Sequence, residues 1–145
     1  MSRCFPRSFA AVCALAALVA TPAALAAPRA YSANGTANFV SATEFTGSGQ
    51  ATHLGRYTEA GTVSFSPTAD PDVLHVEGTV TYTAANGDEL DATISGELDQ
   101  GTGALTATVT YVGGTGRFAA ASGSAALTGQ VAGTISVSVD GTIDF

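Results

Sequence analysis

Histidine, arginine, tyrosine and glutamate crowd into one short segment, Ala51-Thr52-His53-Leu54-Gly55-Arg56-Tyr57-Thr58-Glu59. Together these side chains can exchange protons or hold a polar ligand; a strand end dressed with ordinary polar residues has the same composition. Tyr82 and Tyr111 fall on apolar faces of their segments, so their hydroxyls should point inward and need partners. They read either as core filler whose hydroxyls meet water or as donors to a ligand. His53, Tyr82 and Tyr111 are therefore the candidate ligand-binding residues. His75 lies on a polar face beside Glu77 and reads as surface. The acid pairs Asp70/Asp72 and Asp88/Asp91 sit near turns, where carboxylates accept backbone N–H groups, and no twelve-residue calcium loop surrounds them.

Other chemistry has no foothold. Gly113-Gly114-Thr115-Gly116 lacks the lysine of a phosphate-binding loop and the spacing of a dinucleotide motif. No Gly-x-Ser-x-Gly elbow occurs, and the two histidines have no ligand-spaced partner. Neither a metal site nor a cofactor is expected, and no motif identifies a catalytic residue.

The elements that must position these residues are strands. Leu74, Val76, Gly78, Val80, Tyr82 and Ala84 alternate with His75, Glu77, Thr79, Thr81 and Thr83. Leu90, Ala92, Ile94, Gly96 and Leu98 continue the pattern, as do Leu105, Ala107, Val109 and Tyr111, and then Ile135, Val137, Val139, Gly141 and Ile143. Each is a period-two run with one buried face and a threonine-rich solvent face. Weaker runs at 36–43, 48–54, 61–66 and 123–131 bring the expected total to eight strands. Only Arg117 to Ala121 suggests a helical turn.

Turn parity ties the strands together. A two-residue loop at Asn86-Gly87 would set Tyr82 opposite Asp91 and mix the faces. A three-residue loop, Ala85-Asn86-Gly87 with Gly87 left-handed, instead pairs Tyr82 with Leu90 and Gly78 with Ile94. An even loop around Gly101-Thr102 keeps Leu98 and Leu105 on one face. Long sequential strands with short turns predict a closed eight-stranded antiparallel up-and-down barrel, which leaves no exposed edge. Ala84, Ala92, Gly96, Ala107, Gly123 and Ala125 are small inward residues that leave room for a cavity.

Composition supplies the address. Arg3 and Arg7, the apolar run Phe9 to Val19 and the small residues Ala24-Leu25-Ala26 read as a signal peptide over residues 1–26. Residues 27–34 read as a flexible lead, and 35–145 as one barrel domain. Cys4 and Cys13 leave with the signal, so the mature chain has no thiol. Three arginines then face twelve acids, a net charge of −9 with no lysine. That balance disfavours nucleic acid and anionic membrane surfaces and suits a periplasmic or extracellular protein.

Gly113-Gly114-Thr115-Gly116-Arg117-Phe118, with Ala119-Ala120-Ala121-Ser122-Gly123 behind it, resembles a signature of the allene oxide cyclase and dirigent proteins. There a glycine-rich turn, a basic or apolar residue and a phenylalanine lead into a late barrel strand. Ala51-Thr52-His53-Leu54-Gly55 and Ala84-Ala85-Asn86-Gly87-Asp88 look like segments of bacterial exported proteins of that superfamily. The resemblance implies an eight-stranded barrel with a hydrophobic cavity, often assembled as trimers. The enzymes' catalytic residues lie on other strands and have no assigned counterparts in this chain. Within the motif, three glycines let the chain cross the barrel end, Phe118 plugs it and Arg117 clamps nearby acids.

Three functions follow as expectations. The first is an exported barrel that binds a small apolar molecule inside. The second is a cyclase- or dirigent-like enzyme that steers a reactive intermediate by shape, with Tyr82, Tyr111 or His53 assisting. The third is a small outer-membrane barrel, suggested by the alternating last strand that ends in Phe145.

Overall fold

Alternation of apolar and hydroxyl-bearing residues forces the chain to bury one face of every strand, and the sheet achieves this by closing on itself. A computed structural model describes residues 27–145; the expected signal peptide, residues 1–26, lies outside them. The strands are β1 (Arg29–Phe39), β2 (Glu44–Ala51), β3 (Gly55–Pro67), β4 (Val73–Ala84), β5 (Glu89–Asp99), β6 (Ala104–Gly114), β7 (Ser122–Ala132) and β8 (Thr134–Asp144). A single turn of 3₁₀-helix, Gly116–Phe118, stands between β6 and β7. Each strand pairs antiparallel with its sequence neighbour, and β8 returns to β1, closing an eight-stranded up-and-down barrel.

The turn chemistry sets the register. Tyr82 lies opposite Leu90 and Gly78 opposite Ile94. The loop between them holds Ala85, Asn86 and Gly87, with Gly87 at φ 88°, and the Gly87 amide donates to the Ala84 carbonyl at 2.9 Å. Leu98 pairs with Leu105 across a four-residue loop. Both pairings keep the core residues of β4, β5 and β6 on one side of the sheet.

The lead differs from expectation. Residues 29–34, read from sequence as flexible, form the first half of β1, with Arg29 opposite Ile143 and Ala33 opposite Val139. Local composition gives a weak strand signal here. Residues 29–31 pair only with β8, more than a hundred residues away, so their hydrogen bonds are supplied only when the barrel closes, while residues 32–34 are also held by the end of β2 and Thr52.

The two surfaces of the barrel are opposite in character. Inside, Tyr31, Ala33, Val80, Leu90, Val109, Leu127, Val139 and Ile143 are buried. Outside, Thr62, Thr79, Thr93, Thr110, Ser124 and Thr142 form one continuous row across six strands, all exposed. A lipid-spanning barrel requires an apolar belt on this outer face. The hydroxyl-rich face stands there instead, so the expected outer-membrane alternative does not fit the architecture.

One end of the barrel is closed. The β6 strand continues past Val112 through a bulge, in which Tyr111 and Gly113 face Ala92 and Asp91. Gly113, Gly114 and Gly116 all take positive φ, a region that side chains with a Cβ rarely adopt. The chain thereby folds over the barrel end and drives Phe118 to complete burial. Leu54 from the β2–β3 loop and Ala121 fill the same end. Phe145 packs on Phe118 at a ring-centroid distance of 4.9 Å, completing the cap.

Candidate functional site

The other half of the barrel is hollow. A cavity of about 70 Å³ runs from mid-barrel toward the end bearing the β1–β2, β3–β4, β5–β6 and β7–β8 loops. Val63, Val76, Val80, Ile94, Leu127 and Val139 form its walls. Phe39 and Phe65 stand at its mouth, their rings 6.2 Å apart and 41% and 38% exposed. They are two of the four large hydrophobic residues exposed among the described residues, and Val40 beside them is a third. The opening is therefore rimmed by apolar surface, which a stable fold does not require and a hydrophobic ligand or partner would use.

At the inner end of the cavity sit Tyr57, Glu59 and Tyr82. Strand alternation explains their company. On β3, Tyr57, Glu59, Gly61 and Val63 face inward while Arg56, Thr58, Ala60 and Thr62 face out. Register then places Tyr82 of β4 and Gly47 of β2 on either side of Glu59. The Tyr57 and Tyr82 rings meet edge to face, 5.3 Å apart at 86°.

Glycines on the neighbouring strands make the space these side chains occupy. A methyl group on Gly47 would come within 2.6 Å of a Glu59 carboxyl oxygen, and one on Gly49 within 2.6 Å of the Tyr57 hydroxyl. Side chains of larger residues could not pass there. The phenol and the carboxyl are thus built into the wall by small residues opposite.

Glu59 is the one charged residue buried among the described residues, at 7% exposure. Burial pushes its carboxyl up to about 7, and nothing nearby offsets that cost. The tyrosine hydroxyls respond to the same environment. Burial raises the Tyr57 and Tyr82 phenols above their usual range, and the adjacent Glu59 charge raises both further. Both stay neutral wherever the protein is folded at ordinary pH.

The sequence candidates fall in different places. Tyr82 lines the cavity. Tyr111 lies deeper, under the closed end, its ring 5.1 Å from that of Tyr31 and tilted 59° to it, and its buried hydroxyl has no hydrogen-bond partner among the described residues. His53 belongs to the cap: its Nε2 donates to the Ala30 carbonyl at 2.9 Å and its ring meets Phe145 edge-on at 5.3 Å. The His-Arg-Tyr-Glu segment is therefore dispersed, with His53 capping, Arg56 outside and Tyr57 and Glu59 within. Glu59 was not among the sequence candidates. Its signal is legible in retrospect, because parity along β3 puts it on the apolar face with Tyr57 and Val63.

The motif at Gly113–Phe118 is structural. Arg117 Nε lies 3.5 Å from Asp88 Oδ2, and its guanidinium stacks over Phe118 at 4.8 Å. The Asp70 and Asp91 carboxylates are structural: in the β3–β4 loop Asp70 Oδ1 accepts the Asp72 amide at 3.0 Å, and Asp91 of β5 accepts the hydroxyl of Thr81 on β4 at 2.6 Å. His75 pairs with Glu77 on the outer face at 3.3 Å. Among the described residues no group of three or more histidines, cysteines or acids is placed to hold a metal ion.

Comparison with protein-family models, curated proteins and solved structures finds no match to this chain.

Proposed function

We propose that this barrel is an exported binding protein that receives a small, mainly apolar molecule through the Phe39–Phe65 mouth. The observation that carries the reading is a cavity open at one end, walled by valine, isoleucine and leucine and ending in Glu59 between two tyrosines. Core packing alone favours filling such space, since voids forfeit dispersion contacts. At about 70 Å³ it is well below the roughly 300–1,000 Å³ of pockets that take drug-sized ligands, which limits the occupant to a short chain that extends through the mouth. The resemblance to the allene oxide cyclase and dirigent proteins, with their hydrophobic barrel cavities, supports the same reading. Export rests on the leader-like first 26 residues and the acidic, cysteine-free remainder.

Methyl-detected NMR during titration with n-hexanol tests it. Signals from Val80, Ile94 and Leu127 should shift and saturate. An Ile94→Phe variant with an unchanged far-UV spectrum should lose the response, because the larger side chain occupies the cavity. Shifts confined to the outward-facing Val112, or none at all, would remove the proposal.

A further inference from the structure

The cavity holds a carboxyl group without a cation beside it. Glu59 is buried with no cation near it, although ionised groups inside proteins are normally paired. The chain has no lysine to supply one. All three arginines of the described region are committed elsewhere: Arg29 stacks over Phe145, Arg117 over Phe118, and Arg56 is exposed on the outer face. Among the described residues Glu59 therefore has no counter-charge.

Resting on the interior-binding reading above, we propose that the ligand is an apolar amine. Its protonated nitrogen sits against the Glu59 carboxylate, and its hydrocarbon part lies along the aliphatic walls toward the mouth.

Three features of the site favour this head group. An ammonium supplies both charge and N–H donors to a carboxylate that has neither, and such charge-assisted bonds are the stronger kind. Tyr57 and Tyr82 flank Glu59 at right angles to one another, offering a phenolic oxygen acceptor and a ring face, both attractive to a cation. The strongly acidic chain also draws cations toward its surface and repels fatty-acid-like anions. A ligand carrying its own carboxylate would set like charges together in the driest part of the barrel. Burial of Glu59 adds to this, because the attraction of an ammonium would offset the desolvation cost that lifts its pKa to about 7.

Matched six-carbon probes test the proposal by calorimetry and methyl NMR at pH 8, where Glu59 is ionised. n-Hexylamine should bind at least about tenfold more tightly than n-hexanol, with hexanoate weakest of the three. Glu59→Gln should abolish the amine preference, bringing n-hexylamine and n-hexanol within about twofold of each other; its thermal melt confirms the fold. Equal affinity for amine and alcohol in the wild type, or an amine preference that survives Glu59→Gln, would overturn the head-group assignment and leave interior binding intact. If none of the three probes moves the Val80, Ile94 and Leu127 methyl signals, both readings fall together. Shifts by the amine at the surface acids alone count against the assignment, since cavity methyls must respond.

Discussion

Replacing Glu59 by glutamine should stabilise the protein at alkaline pH and leave it unchanged at acid pH. Glutamine has the shape of a protonated glutamate, so the substitution removes the ability to ionise and little else. In the unfolded chain the carboxyl titrates near 4.5, and burial lifts it to about 7 in the barrel. Below pH 4.5 both states hold the proton and the group costs nothing. Between 4.5 and 7 the folded state holds a proton that the unfolded state releases, so stability declines as pH rises. Above 7 the full penalty applies, on the order of 3 kcal/mol for a shift of this size. The titratable groups facing Glu59 are the Tyr57 and Tyr82 phenols, which stay neutral throughout because burial raises them too. From β2 it faces only Gly47, which does not titrate. Thermal unfolding by circular dichroism from pH 4 to 9, on wild type and variant, isolates the effect, since all other titrations cancel in the difference. The variant should gain nothing at pH 4, then rise to an advantage of roughly 10 °C at pH 8. A difference that is flat with pH, or a wild type more stable at pH 8, would refute the claim that Glu59 ionises unpaired inside the barrel.

Two further substitutions probe how the barrel is held. Phe118→Ala, at the fully buried plug, should cost about 3–5 kcal/mol in urea unfolding, whereas Arg117→Ala should stay within about 1 kcal/mol, because its pair with Asp88 is solvent-screened. Comparable losses would mean that the arginine, not the plug, secures the closed end. Gly47→Ala should destabilise by about 1–3 kcal/mol, since its methyl would meet the Thr36 carbonyl, the Glu59 carboxyl and the Ala37 side chain. An unchanged denaturation midpoint for this variant would show that the Glu59 niche relaxes freely.

Much of the barrel was legible because its information is local. Parity across Asn86-Gly87 and Gly101-Thr102 is enough to align β4, β5 and β6, as the observed pairs Tyr82–Leu90 and Leu98–Leu105 bear out. Residues 29–34 were not legible, because the partner that runs along all of them is the distant β8 and a short Pro- and Asn-flanked segment carries little strand preference of its own. The candidate site was read only in part. Tyr82 was placed on the correct face, but the cluster around His53 was judged by nearness in sequence. In a strand, adjacent residues point to opposite surfaces, so nearness along the chain separates side chains rather than gathering them.

The sequence by itself determined that every strand has one apolar face, that the turns keep those faces together, and that the glycine run before Phe118 interrupts the pattern. Each of these is a property of residues within a few positions of one another. Phe118 as the plug of one end is legible in the motif itself; only the tertiary structure decided that the opposite end stays hollow. That depends on Phe118, Leu54 and Phe145 meeting at one end while Phe39 and Phe65 remain apart from any plug at the other. It also decided that Glu59 meets no cation among the described residues. Whether a buried carboxylate meets a cation is set by side chains from distant strands, and no local pattern encodes their absence.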